Sequence, residues 1–115
     1  MLPKDVLAEL AKHPCGTFLD LLDFNDSSLG CCDITGESPV WEMHPDTDEL
    51  FVVPAGALSF TVLNNDGGRE HHSVNSGSVF VVPKGLWHKP AARAGEKFLY
   101  LTPGQTLHSD AEAPR

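Results

Sequence analysis

The chain has 115 residues, which is the length of one ordinary domain and excludes a second independent core. Sixteen acidic against eight basic residues give a formal net charge of -8, which argues against nucleic acid or an anionic membrane as a partner. No apolar run approaches the roughly 20 residues of a membrane span, and the N-terminal residues lack the apolar stretch of a secretory signal, so we expect a cytoplasmic protein.

The first predicted element is one short amphipathic helix in an N-terminal segment, residues 1–16. Val6, Leu7 and Leu10 fall on one apolar stripe, and charged side chains lie opposite them. Pro3 is typical of a first helical turn, and Pro14 ends the pattern.

Short alternating segments bounded by Gly, Pro, Asn and Asp follow the helix, and this pattern predicts strands joined by tight turns. Many short strands at even spacing indicate an all-β sandwich or barrel, which we place in residues 17–106. A polar C-terminal tail, residues 107–115, is expected to be frayed from His108 onward. The predicted strands are residues 17–22, 30–34, 40–44, 50–53, 58–63, 70–74, 79–82, 88–91 and 97–101.

The three cysteines, Cys15, Cys31 and Cys32, are an odd set without the paired spacing of a structural zinc site, so no disulfide framework is expected. The adjacent Cys31 and Cys32 leave two interpretations open. They are either a redox sensor or small buried residues that stay reduced, and general burial preferences favour the second.

Two segments each combine a strand with a histidine. In the first, WEMHPDTDEL, Glu42 and His44 are two residues apart and therefore project from the same side of an extended strand. A turn then returns Glu49 beside them. In the second, GSVFVVPKGLWH, a strand and a PKG turn lead to His88. If the two hairpins face each other across a barrel, these four side chains converge.

The converging set suits a metal ion. Two imidazoles and one carboxylate on one face leave coordination positions open, as in non-haem Fe(II) sites, and Mn, Ni, Co or Zn would also be accepted. Glu42 as an added ligand would favour the harder ions Mn and Fe(II). Without a metal the carboxylates of Glu42 and Glu49 would repel each other, so one of them should take up a proton and metal binding should depend on pH.

Both segments resemble the two motifs of the cupin superfamily, specifically of its small single-domain members. The first motif is a His-x-His pair followed by a glutamate and a glycine, and the second is a glycine followed by Pro-x-Gly and a histidine. Glu42 stands where the family usually has its first histidine. The matching residues are His44, Glu49 and Gly56 in the first motif, and Gly77, Pro83, Gly85 and His88 in the second.

The resemblance implies a jelly-roll barrel, also called a double-stranded β-helix, and a divalent metal ion such as Fe, Mn, Zn or Ni. The implied metal ligands are His44, Glu49 and His88. Glu42 is either a fourth ligand or a catalytic general base, because burial would raise its pKa towards neutrality. The family includes isomerases, dioxygenases, decarboxylases and sugar-binding domains, so the fold alone does not define a reaction.

Two hypotheses of function follow. The first is a metal-dependent enzyme that acts on a small polar metabolite by isomerase- or dioxygenase-type chemistry. The second is a non-catalytic module that binds or senses a sugar-like ligand, and it is motivated by the absence of the first motif histidine. Small cupins similar to this one commonly pair through their outer sheet surfaces, so a homodimer is expected.

Other residues have a structural interpretation beside a functional one. Trp41 should lie on the face opposite Glu42, and His72 is either a pocket contact or an exposed strand residue. The basic residues close together in sequence either bind an anionic small molecule as a positive rim or are solvated charges, and they are Lys84, Lys89, Arg93 and Lys97. The alternating residues expected to fill the barrel are Phe51, Val53, Phe60, Val62, Phe80 and Val82.

Overall fold

The computed structural model describes residues 2–115, and in this part of the chain one helix precedes nine antiparallel strands. The helix is α1 (Val6–Leu10). The strands are β1 (Phe18–Phe24), β2 (Ser27–Glu37), β3 (Trp41–Met43), β4 (Glu49–Val53), β5 (Ala57–Leu63), β6 (Arg69–Asn75), β7 (Ser78–Val82), β8 (His88–Pro103) and β9 (Leu107–Ser109). The predicted all-β fold with a short N-terminal helix is confirmed.

Strand β8 is the centre of the barrel because it pairs with four other strands, β2, β3, β4 and β5. Strand β4 pairs in addition with β7, and β5 with β6. Strand β1 lies beside β2, and β9 lies beside β3. This arrangement places His88, the first residue of β8, opposite Glu42 on β3 and Val62 on β5.

Two sequence predictions are wrong in this part of the chain. Residues 88–91 and 97–101 are not separate strands but parts of β8. The residues between these two segments lack alternation of apolar and polar side chains, which is why the sequence predicted a break. In the structure the pairing of β2 with β8 shifts register between Ile34 and Gly36, so β8 accommodates extra residues there as an irregularity and continues as one strand. The C-terminal tail is not frayed at its start, because residues 107–109 form β9. Arg69 Nη2 also donates to the Glu112 carbonyl at 2.8 Å.

The barrel interior contains the apolar side chains that alternation predicted. Phe51 and Phe60 are buried with ring centroids 4.4 Å apart, and the half-buried Phe80 packs against this core. Trp41 is buried on the sheet surface away from this core, with the amine of Lys89 4.4 Å from its ring centroid. Trp41 therefore has a packing role in the sheet.

Helix α1 packs on the outer face of the sheet. Its N-cap, Asp5, accepts a hydrogen bond from the Ala8 backbone N–H at 3.0 Å. Leu10 forms a small apolar cluster with Cys31, whereas the next residue, Cys32, points into the barrel core. Both thiols are fully buried, and burial raises the pKa of both, that of Cys32 to about 12. The predicted burial of both cysteines is therefore confirmed. None of the described helical residues forms a segment long and apolar enough to cross a bilayer.

Candidate metal centre

The four candidate site residues, Glu42, His44, Glu49 and His88, meet inside the barrel. One potential ligand atom from each lies within 4.8 Å of those of the other three. His44, Glu49 and His88 are buried, each with no more than 3% of its surface exposed, and Glu42 is half-buried. The predicted convergence of the two hairpins is therefore confirmed.

Backbone hydrogen bonds hold the two motif turns against each other. The Gly85 N–H donates to the His44 carbonyl at 2.8 Å, and the Lys84 N–H donates to Asp48 Oδ1 at 2.9 Å. Gly85 has a φ of +81°, a left-handed conformation that side-chain-bearing residues rarely adopt, which explains a glycine in the turn before His88. The position of His88 relative to His44 is thus fixed by one main-chain hydrogen bond and by one hydrogen bond to the Asp48 carboxylate.

Both imidazoles direct their Nε2 atoms at one carboxylate oxygen of Glu49. His44 Nε2 lies 3.0 Å and His88 Nε2 lies 2.8 Å from Glu49 Oε1. The opposite nitrogen of His88, Nδ1, lies 3.0 Å from the Leu86 carbonyl, and that of His44 lies 3.3 Å from the Gln105 carbonyl. A carbonyl oxygen only accepts, so the Nδ1 of His88 carries a hydrogen and donates it. The Nδ1 of His44 also lies 3.1 Å from the Thr106 hydroxyl, which can donate or accept, so that nitrogen has a partner in either tautomer.

This geometry favours a cation between the rings and the carboxylate. With hydrogen on Nδ1, a neutral ring directs the lone pair of Nε2 at Glu49 Oε1, and two electron-rich atoms at such distances repel unless a proton or a metal ion lies between them. Histidines that bind metals hold their second ring nitrogen against a carbonyl in the same way. Two imidazoles with the carboxylates of Glu42 and Glu49 are therefore a donor set that fits a divalent metal ion.

Without a metal, protons fill this role. Burial alone would lower the pKa of His44, but the hydrogen bond and charge of Glu49 outweigh it and raise that pKa. Burial alone would raise the pKa of Glu49, but hydrogen bonds from His44 and His88 together with their charges lower it. A metal ion would therefore compete with a proton on His44.

Glu42 differs from the other three side chains. Burial and, after it, the charge of Glu49 raise the pKa of Glu42, as predicted from the sequence. Its outer neighbour is His108 on β9, whose Nε2 lies 3.6 Å from Glu42 Oε1 and whose side chain is 60% exposed. Sequence analysis missed His108 because β9 is too short and polar to show a strand pattern.

A cavity of about 260 Å³ opens above this centre. Its lining includes Glu42, His44 and Glu49 together with His108. Hydroxyl groups form much of its remaining wall, and they belong to Ser28, Tyr100, Thr102 and Thr106. A second cavity of about 330 Å³, more apolar in its lining, lies on the other side of Glu42 and His108.

The other sequence candidates lie away from the cavity. His72 stacks on Phe80 with centroids 5.1 Å apart, and Lys89 lies over Trp41 and pairs with Glu37. Arg93 lines a different depression, Lys97 pairs with Asp33 at 3.6 Å, and Lys84 is exposed. Among residues 2–115 no lysine or arginine lines the cavity, so the proposed positive rim does not border the site.

Solved structures share this fold. A cupin-2 domain containing protein from Shewanella frigidimarina is 28% identical, with a TM-score of 0.68, over 80% of this chain and 84% of that one. A Neisseria meningitidis protein is 17% identical with a TM-score of 0.71, over 90% and 100% of the two chains. Hydroquinone 1,2-dioxygenase from Sphingomonas, with 4-hydroxybenzoate bound, is 12% identical with a TM-score of 0.73, over 87% and 72%.

The last two similarities are too distant in sequence to show more than the fold. A search of curated proteins found no match. The model of the cupin domain family, Cupin_2, matches residues 33–104, which contain all four candidate ligands. The predicted jelly roll is therefore confirmed, and the chain belongs to the cupin domain family.

Proposed function

We propose that this protein is a metal-dependent enzyme that acts on a small polar metabolite by isomerase- or dioxygenase-type chemistry. One observation carries the proposal: two buried histidines direct Nε2 at a single oxygen of Glu49 while carbonyl groups hold their Nδ1 atoms. Such an arrangement is typical of histidine side chains that bind a metal ion. The cavity above it has room for a small substrate.

We propose His44, Glu49 and His88 as the metal ligands, with Glu42 as a fourth ligand or as the catalytic base. Two nitrogen and two carboxylate donors favour Fe(II) or Mn(II) over Zn or Ni. Related folds support this range, since hydroquinone 1,2-dioxygenase PnpCD was solved with Fe3+ and oxalate decarboxylase of Bacillus subtilis has Mn(II) centres. Both are under 25% identical to this chain, so they support the class of ion only.

The side chains have two different roles in this proposal, which are metal binding and proton transfer. A bound divalent ion would polarise adjacent oxygen atoms of the substrate. The buried triad fixes where those oxygens can lie. The raised pKa of Glu42 lets its carboxylate accept a proton from a substrate carbon or hydroxyl and return it at a neighbouring atom. His108, which is exposed, lies between Glu42 and solvent.

Elemental analysis tests the metal assignment. Wild-type protein purified without chelators, and reconstituted separately with Fe(II), Mn(II), Zn(II) and Ni(II), should hold about one ion per chain. His44→Ala and His88→Ala should hold none, and circular dichroism should show that both remain folded. Glu42→Gln shows whether Glu42 contributes. Absence of a stoichiometric ion from every wild-type preparation would refute the proposal.

The second candidate, a non-catalytic module that binds a sugar-like ligand, is favoured by Glu42 in place of the first motif histidine. A thermal-shift screen of sugars and hydroxy acids with metal-loaded protein separates the two functions. A compound that raises the melting temperature and is recovered unchanged after long incubation supports the module. A compound that is consumed supports the enzyme.

We further propose a cytoplasmic homodimer. Val79 and Val81 on β7 expose apolar surface that a second copy could cover, and the free thiols of Cys15, Cys31 and Cys32 suit a reducing compartment. Light scattering at micromolar concentration should return twice the mass of the chain, and a monomer would contradict the dimer. Cell fractionation tests the location.

A further inference from the structure

Two residues of the cavity lining, Asp20 and Tyr100, are joined by a row of three residues on neighbouring strands. Asp20 on β1 lies opposite Gly30 on β2, and Gly30 lies opposite Tyr100 on β8. The Tyr100 ring crosses Gly30 so closely that a Cβ there would collide with the ring and its hydroxyl. The Tyr100 hydroxyl donates to Asp20 Oδ1 at 3.4 Å. The glycine therefore lets the tyrosine reach the aspartate.

Three carboxyl groups line the cavity, and the groups there that can carry positive charge are the imidazoles of His44 and His108. Asp20, Glu42 and Glu49 line it, and the described lining includes no lysine or arginine. A divalent ion would offset two of the three carboxylate charges and leave one negative charge, with the imidazoles neutral. Burial, followed by the charge of Asp20, raises the pKa of Tyr100, so its hydroxyl keeps its proton.

We infer that the substrate is an uncharged polyhydroxylated molecule, and that Asp20 and Tyr100, which are not candidate metal ligands, bind its hydroxyl groups in the cavity. This inference rests on the proposed function, because it assumes that the cavity receives the substrate. The volume of about 260 Å³ corresponds to about nine water molecules of about 30 Å³ each, which suits a compound with a similar number of non-hydrogen atoms.

The hydrogen-bonding capacity of the wall explains the selectivity. An ionised carboxylate such as Asp20 only accepts hydrogen bonds, so its partner must donate, and a substrate hydroxyl does. The hydroxyls of Ser28 and Thr102 can donate or accept and suit the same partner. A substrate carboxylate offers only acceptors, so it would face Asp20 without a shared hydrogen and with a like charge. Anionic acids should therefore bind poorly, although a free metal ion prefers them.

Erythritol and erythronate are a matched pair of probes, because they differ by a carboxylate in place of one CH₂OH group. Isothermal titration calorimetry with the Mn(II)-loaded protein should show erythritol binding at least about tenfold more tightly than erythronate, the reverse of the preference of Mn(II) in solution. A preference for erythronate, or binding of neither probe, would overturn the inference.

Variants locate the selectivity. Asp20→Asn should reduce the erythritol preference by about fivefold or more, because it removes the charge that repels erythronate and weakens the acceptor. Asp23→Asn on the same strand makes an equal change in net charge at an exposed residue outside the lining, and it should leave the preference unchanged. Tyr100→Phe, which removes only the hydroxyl, provides a second test if Asp20→Asn does not fold.

An unchanged preference in both cavity variants would overturn the assignment of Asp20 and Tyr100 even if metal binding is intact. Conversely, failure to bind any of the four ions would refute the proposed function alone. The two probes can then be compared on the metal-free protein, because neither Asp20 nor Tyr100 belongs to the candidate ligand set. The two failures are thus distinguishable.

Discussion

Carboxylate–imidazole contacts of similar length occur in two opposite environments of this protein. Inside the barrel, Glu49 lies 3.0 and 2.8 Å from His44 and His88, and all three are buried. On strand β6, Glu70 lies 3.2 Å from His72, with half of the glutamate side chain and 40% of the histidine side chain exposed. Water screens the second contact, so it should contribute little to stability.

The difference shows that surroundings, rather than the identity of the pair, make a candidate metal site. Burial removes the water that would otherwise solvate the charges of Glu49 and its two partners. The Leu86 carbonyl fixes the orientation of His88, and Glu42 adds a second carboxylate within reach of the same point. The predictions that follow test this contrast.

The largest effect is expected from Glu49→Gln. The amide keeps the shape of the side chain but removes the anionic oxygen that both Nε2 atoms face, so metal affinity should fall by more than about a hundredfold. Metal titration followed by elemental analysis measures this loss. Retention of near wild-type affinity would show that Glu49 is not a ligand.

The second effect is a pH dependence. The raised pKa of His44 means that its proton stabilises the metal-free fold below the usual histidine pKa of about 6.5, and this stabilisation is lost as pH rises through the raised value. The raised pKa of Glu42 acts in the same direction. Metal competes with these protons, so metal affinity should rise between pH 6 and 8 by up to about tenfold per unit for each proton displaced.

Melting temperatures with and without metal check this dependence. The gap between the metal-loaded and metal-free protein should widen as pH rises from 6 to 8, and calorimetry in buffers of different ionisation enthalpy should detect proton release on binding. Glu49 does not reverse the trend, because its lowered pKa places its own loss of stability at acidic pH. A constant gap would contradict coupled proton and metal binding.

The sequence was sufficient to predict the barrel and the four residues that converge in it, because both depend on short-range patterns. Alternation predicts which side of β3 carries Glu42 and His44, and the PKG turn predicts the approach to His88. The strand pairing that brings the two motifs together is non-local. Glu42 pairs with His88 because β3 lies beside β8. The sequence pattern predicted two separate strands in place of β8, and the residues between those two predicted strands pair only with β2.

The contact of His108 with Glu42 and the contact of Asp20 with Tyr100 could not be predicted, because both also depend on non-local strand pairing. His108 reaches Glu42 only because the backbone of a three-residue polar strand pairs with β3. Asp20 and Tyr100 are 80 residues apart and meet across Gly30, whose role depends on the registers of two strand pairs. Neither contact has a signature in local sequence.

The third prediction concerns Glu42, whose side chain is more exposed than that of Glu49 and less exposed than that of Glu70. Glu42→Gln should reduce metal affinity by about tenfold or less, since its carboxylate is half-buried and also faces His108. Glu42→His would restore the usual cupin histidine and should shift preference from Mn(II) towards Ni(II) and Zn(II). Metal competition experiments measure both. A loss as large as that of Glu49→Gln would make Glu42 an equal member of the ligand set.

The smallest effect is expected from Glu70→Gln. Because its contact with His72 is exposed, the free energy of unfolding should change by less than about 0.5 kcal/mol, measured by denaturant titration, and metal affinity should not change. Glu70→Gln and Glu49→Gln remove the same charge from the chain. Any long-range effect of net charge would therefore appear in both variants, and a loss of metal confined to Glu49→Gln isolates the buried contact as its cause.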